Sequence, residues 1–181
     1  MTERLEASPL ISLSQGQLKL LSICPRQFQY TYLEQLGALT TPEQQARITW
    51  GSRFHLLMQQ RELGLPIDLL TAADEQFQES LTGLAAAAPE VFDQSDQDDA
   101  PFRQSEHRRT LAFRGYLLTV IYDLLILRPD EGQIFDWKTY PQPRDRSALA
   151  KDWQTRLYLY VLTETTDLKP EQVSMTYWFV R

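Results

Sequence analysis

Gln133-Ile134-Phe135-Asp136-Trp137-Lys138 is an apolar run that ends in an acid and a base. Strand alternation puts Phe135 and Trp137 on one face and Asp136 and Lys138 on the other. Upstream, Val120-Ile121-Tyr122-Asp123-Leu124-Leu125 is apolar on both sides of a single acid, the mark of a central strand covered on both faces. A charge there is costly unless it is paired or bound to a metal. Arg128-Pro129-Asp130-Glu131-Gly132 between the two runs carries turn residues. A loop over 129–132 pairs Arg128 with Gln133, setting Asp123 opposite Lys138 and diagonal to Asp136. A loop one residue longer would turn Asp123 to the other face.

Working outward, 105–113 and 116–127 are strand-like and joined by a tight Arg114-Gly115 turn, and 173–180 is a last strand. Residues 139–147 are a polar loop, and 148–164 a helix with a core stripe of Leu149, Trp153, Leu157 and Val161. Toward the N-terminus, Ser12-Leu13-Ser14 caps a first helix, and Pro25 opens a second that stops at Gly37. Thr41-Pro42-Glu43 starts a longer helix to about Leu63, with Ile48, Trp50, Phe54, Leu57 and Met58 at helical spacing. Residues 68–85 form another helix, followed by an acidic loop over about 86–101. Helices, then a three-strand meander, then helix and strand make an α/β chain. The expectation is one domain over 1–181: mainly helical to about residue 100, then a sheet core with a metal site.

Composition excludes much else. A chain of 181 residues, 43% hydrophobic and 23% charged, is neither disordered nor low-complexity. No apolar run reaches the roughly 20 residues of a membrane helix. The start, Met1-Thr2-Glu3-Arg4, lacks a signal-peptide pattern, so the expected address is cytoplasmic, with no membrane partner. Net charge is −6, but Glu90 to Asp99 alone holds five acids and no base, so charge does not decide the partner. Cys24 is the single cysteine, which excludes an internal disulfide.

There is no phosphate-cradling glycine loop, no Gly-x-Ser-x-Gly elbow and no His/Cys cluster for zinc. Carboxylates, a lysine and a histidine remain. Asp123, Asp136 and a carbonyl suffice for a hard cation such as Mg²⁺, and Lys138 could position a water and stabilise developing charge. The same residues also fit a buried Asp–Lys ion pair. Gln154 and Tyr158 lie four apart on one helix face, outside the core stripe, as do Gly51 and His55 on the earlier helix. Read as a ligand, His55 sits beside the carboxylates and favours Mn²⁺; read otherwise, it is a structural histidine. Glu106 could assist or be solvated, and His107 is structural. Lys19, Arg26, Arg53 and Arg156 are candidate phosphate contacts.

Together these residues resemble the PD-(D/E)XK nuclease superfamily in its RecB-like branch, over about residues 12–180. The opening Leu13-Ser14 to Leu33 is similar to the family's N-terminal helices. Gly51-x-x-x-His55 is similar to its histidine motif, Asp123 to its first acid, Asp136-x-Lys138 to its acid–x–lysine element and Gln154-x-x-x-Tyr158 to its Gln-x-x-x-Tyr motif. The chain departs from the pattern in having Tyr122 before the first acid and Val120 where many members have glycine. The resemblance implies a restriction-endonuclease-like core: a central mixed β-sheet of about four strands flanked by helices, with an N-terminal helical region. It implies Mg²⁺ or Mn²⁺ held by Asp123, Asp136, the Trp137 carbonyl and His55, Lys138 orienting the attacking water, and Gln154 and Tyr158 shaping the site. Some relatives carry an iron–sulfur cluster on four cysteines; with Cys24 alone no such cluster is expected. The expected activity is metal-dependent DNA cleavage at ends or single strands, exonuclease-like, in repair, recombination or foreign-DNA processing, with a helicase or repair partner by analogy. The competing reading is a catalytically silent module that binds nucleic acid or a partner protein.

Overall fold

The computed structural model describes residues 11–37, 39–72, 74–92, 102–140 and 145–180. Strand β1 (Ile11–Leu13) leads into α1 (Gln15–Ile23), α2 (Pro25–Phe28), α3 (Pro42–Glu62), α4 (Asp68–Ala72), α5 (Glu75–Ala87) and α6 (Pro89–Phe92). Then come β2 (Phe102–Phe113), β3 (Tyr116–Leu127), β4 (Gly132–Lys138), α7 (Arg146–Lys151), α8 (Trp153–Glu164) and β5 (Val173–Phe179). The result is a mixed α/β architecture with a five-stranded central sheet flanked by helices, one strand more than the four expected and consistent with a restriction-endonuclease-like core. No helix among the described residues is long and apolar enough to cross a membrane.

Local chemistry sets the helix boundaries. Ser14 and Thr41 each close a capping box, with Gln17 and Gln44 returning the hydrogen bond. Of the expected cap Ser12-Leu13-Ser14, only Ser14 caps the helix; Ser12 and Leu13 lie with Ile11 in a strand. The second helix does not reach Gly37: it passes through a π turn at Gln29–Leu33, and Gln35 then takes a left-handed φ of 56°. The helix expected over 68–85 is two, because Asp74 caps α5 by accepting the Gln76 and Phe77 N–H groups. The expected acidic loop is helical through Phe92, and its residues 93–101 lie outside the described residues. The helix expected over 148–164 starts earlier, at Arg146, and breaks at Asp152, whose carboxylate caps α8 through the Gln154 N–H.

β3 is the spine of the sheet. One of its edges carries β2 along its whole length. The other edge is shared by parallel β1 at Tyr116–Leu118 and antiparallel β4 at Leu124–Leu127. Between them, 119–123 faces a gap. The β3–β4 turn spans 128–131, closed by the Arg128 N–H to Glu131 O bond at 2.8 Å, so Leu127 pairs with Gly132 rather than Arg128 with Gln133. The expected register was therefore off by one residue on each strand, although its parity holds. Gly132 leaves room for the Leu168 side chain, since a Cβ there would lie 2.9 Å from Leu168 Cδ1.

Two apolar layers sandwich the sheet. Leu124, Ile126, Phe135 and Trp137 pack on Trp50, Phe54, Leu57 and Met58 of α3 and Phe77 of α5. Leu118, Val120, Tyr122, Leu125 and Ile134 pack on Leu157, Tyr158, Val161 and Leu162 of α8. Each such fully buried side chain contributes about 1.5–3 kcal/mol. Tyr122 and Leu124 are two apart yet lie on opposite faces, so β3 rotates at Asp123. Opposite Asp123, Glu106 drops out of the β2–β3 ladder with φ 49°. A left-handed glutamate costs on the order of 1–2 kcal/mol, held in place here by the paired strands around it. Arg103 anchors this part of β2 to α3 through a bidentate pair with Glu62 at 2.7 and 2.9 Å.

Candidate active site

The gap in the sheet opens into a cleft of about 850 Å³. Its walls are α3, the kinked centre of β2–β3, the end of β4 and the start of α8. It brings together seven of the residues singled out above: His55, Asp123, Asp136, Trp137, Lys138, Gln154 and Tyr158. Where the β3–β4 ladder ends at Leu124–Phe135, Asp123 replaces the missing backbone acceptor: its Oδ2 takes the Trp137 N–H at 2.7 Å. One pair further out, the Val180 N–H donates to the Lys138 carbonyl at 3.0 Å, turning that carbonyl toward β5. Alternation therefore directs the Trp137 carbonyl back into the gap.

Asp123 also meets α3. His55 Nδ1 is 3.4 Å from Asp123 Oδ1 and 3.8 Å from Glu106 Oε1. One ligand atom from each of His55, Glu106 and Asp123 lies within 4.8 Å of the others, a spacing that suits a divalent ion. Glu106 reaches this cluster because of its left-handed backbone, which turns it to the α3 side. Burial alone would lower the His55 pKa, but hydrogen bonds and charge from Asp123 and Glu106 outweigh it and push it up to about 10.

Asp136 is 2% exposed and faces α8. Lys138 Nζ sits 2.5 Å from its Oδ1, and the Gln154 amide donates to its Oδ2 while accepting from Lys138 Nζ at 2.7 Å. Burial, then the Asp123 charge, raise the Asp136 pKa against the pull of Lys138. Gln154 thus fixes the acid and the base together. Tyr158 closes the floor: its carbonyl accepts from Tyr122 Oη at 3.1 Å, and burial with the charges of Asp136 and Asp123 keeps its own hydroxyl protonated. Gln154 and Tyr158 lie on the buried face of α8 with Leu157 and Val161, at i, i+3, i+4 and i+7 from Gln154, while Leu149 of the expected core stripe falls in α7 beyond the break at Asp152.

Gly51 lets α3 come this close. A Cβ there would stand 2.8 Å from Thr139 Oγ1. Gly51→Ala should gain up to about 1 kcal/mol of helix propensity yet push His55 away from β4. A displacement of this kind costs about 10²-fold in rate with little change in melting temperature. Adding Thr139→Ala should restore the rate, and a parallel kinetic and melting comparison of the three proteins checks it.

The four cations expected on DNA are elsewhere. Lys19 pairs with Asp152 at 3.1 Å, Arg53 with Asp74 at 3.7 Å, Arg26 lies over the Tyr30 ring at 4.5 Å and Arg156 over Trp153 at 4.8 Å. None lines the cleft, whereas Arg47 and Tyr140 do. The signal for Arg47 was its place eight residues before His55, on the Gly51–His55 stripe. Ile48, expected in the core of α3, is 54% exposed and lines the same wall.

A family model for the PD-(D/E)XK nuclease superfamily matches residues 12–181. No curated protein matches the chain.

Proposed function

The chain belongs to the PD-(D/E)XK nuclease superfamily, and we propose that its cleft is the active site of a divalent-metal-dependent deoxyribonuclease of the RecB-like branch. The observation that supports this most is the convergence of Asp123, Glu106, His55, Asp136 and Lys138 on the break between β3 and β4. Three carboxylates, one imidazole and a free carbonyl are the donor set of Mg²⁺ or Mn²⁺, with the imidazole favouring Mn²⁺. Asp123, Asp136, His55 and the Trp137 carbonyl would hold the ion, and Glu106 completes the set. When bound, the ion supplies Lewis-acid polarisation of the phosphodiester and lowers the pKa of water. Lys138 leaves Asp136 for the attacking water and steadies the charge that develops on the phosphate. Gln154 keeps the freed carboxylate in place, and Tyr158 offers a protonated hydroxyl from the floor.

The sequence carries no phosphate-cradling glycine loop, so the chain cuts without unwinding. Exonuclease-like action on ends or single strands, in repair, recombination or foreign-DNA processing with a helicase partner, is the finer reading. Labelled single-stranded, duplex and overhang DNA, incubated with Mg²⁺ or Mn²⁺, tests it. Stepwise shortening from an end is expected. DNA binding without cleavage under either metal would instead make the chain a silent nuclease-fold module.

His55 predicts a pH dependence. Its pKa in the folded protein, about 10, is above the free value of 6.5, so its contribution to metal-free stability is full below 6.5 and is lost as pH rises through about 10. Metal must displace this proton, so affinity should rise about tenfold per pH unit between these limits, with close to one proton released per ion. Calorimetry in two buffers of different ionisation enthalpy measures the release. A pH-independent affinity would remove His55 from the ligand set.

A further inference from the structure

Three arginines lie along α3. Arg53 pairs with Asp74, and Arg61 with Glu62 at 2.8 Å. Arg47 is exposed and has no ion-pair or hydrogen-bond partner among the described residues. It nevertheless faces the cleft, on the same helical stripe as Gly51 and His55. Eight residues of helix separate it from His55 by about 12 Å, too far to act at Asp123. The Gly51–Thr139 approach brings the outer half of α3 against the chain leaving β4. Tyr140 follows there, 41% exposed, its ring braced edge-on by Phe179 with centroids 5.6 Å apart. A planar cation and a braced, accessible aromatic thus share the mouth of the cleft. Guanidinium binds phosphate bidentately, and an exposed tyrosine stacks on any base. Neither group is needed to hold a metal ion.

We propose that Arg47 and Tyr140 form a nucleotide subsite, Arg47 gripping a phosphate beside the scissile one and Tyr140 stacking on the adjoining base. The inference rests on the nuclease reading for the position of the scissile phosphate. It makes the substrate at this lip a single strand, since a base can stack on Tyr140 only when unpaired.

Anisotropy of a labelled oligothymidylate, titrated with protein in Ca²⁺ over a range of salt, tests the subsite apart from cleavage. Arg47→Ala should weaken binding about tenfold or more and lower the slope of log affinity against log salt by about 0.7. Arg47→Lys should restore the slope but only part of the affinity, because lysine lacks the planar fork. Tyr140→Ala should weaken binding about tenfold with the slope unchanged. With Mg²⁺ or Mn²⁺, both alanine variants should raise KM for DNA and leave kcat near wild type. An Arg47→Ala protein that keeps wild-type affinity and slope, or wild-type KM while cutting, overturns the subsite and leaves the nuclease reading standing. These losses in the variants, together with no cleavage by the wild type under either metal, support a phosphate-and-base subsite and overturn the nuclease reading.

Discussion

Asp123→Asn should lose both the metal and the reaction. Asparagine is nearly isosteric, and its carbonyl oxygen can still accept the Trp137 N–H that Asp123 now takes at 2.7 Å. The fold around the gap is therefore kept, and the metal-free variant should melt within a few degrees of wild type. What goes is one negative charge from a cluster of three carboxylates, and that charge faces His55 at 3.4 Å. A divalent ion at a hundred times its dissociation constant stabilises a folded protein by about 2.7 kcal/mol, or about 5–10 °C for a chain of this size. This shift should be present in wild type and absent in Asp123→Asn. Cleavage should fall by about 10³-fold or more, since the electrophilic centre and the water it activates go together. A variant that keeps the thermal shift would exclude Asp123 as a ligand.

Lys138→Met should separate binding from chemistry. The ammonium lies 2.5 Å from Asp136 Oδ1 and so competes with any cation for that carboxylate. Replacing it with an apolar chain of similar length leaves Asp136 buried beside Asp123, and its pKa should climb further because burial already raises it. Breaking a buried pair costs about 3–5 kcal/mol when the remaining charge is uncompensated. Protonation of Asp136, or capture of a metal ion, relieves part of that cost. The metal-induced rise in melting temperature should therefore be equal to or larger than in wild type, while kcat falls about 10²–10⁴-fold. A purely structural Asp–Lys pair predicts the reverse: a large loss of stability that metal does not repair, and no selective loss of kcat.

Much of the frame was legible because it is set locally. The capping boxes at Ser14 and Thr41 are fixed by residues three apart. The Arg114-Gly115 turn, with φ of 48° and 85°, is a tight two-residue connection that glycine marks openly. The acid–x–lysine strand and the odd register that brings Asp123 and Asp136 together follow from alternation and turn length. The rotation of β3 was not legible. Alternation carried through Asp123 would put Tyr122 and Leu124 on one face, yet they pack on α8 and α3 respectively. That switch depends on a left-handed Glu106 in the neighbouring strand, a conformation that glutamate does not advertise. For the same reason the sequence alone does not mark Glu106 as a ligand candidate beyond an assisting acid, although it stands within the ligand cluster. The break at Asp152 was not legible either, and it leaves Leu149 in α7, apart from the buried face of α8 that Gln154 and Tyr158 share with Leu157 and Val161. What the sequence does not show of the candidate phosphate contacts is their neighbours: Lys19, Arg26, Arg53 and Arg156 each meet an acid or a ring outside the cleft, whereas Arg47 lines it.

Diffraction from crystals grown with Mn²⁺, recorded for its anomalous signal, reaches the core of the account most directly. One peak is expected in the break between β3 and β4, bonded to the carboxylates of Asp123 and Asp136 and to the Trp137 carbonyl, with Lys138 turned away from Asp136. A cleft without ordered manganese, still closed by the Lys138–Asp136 contact, would contradict it.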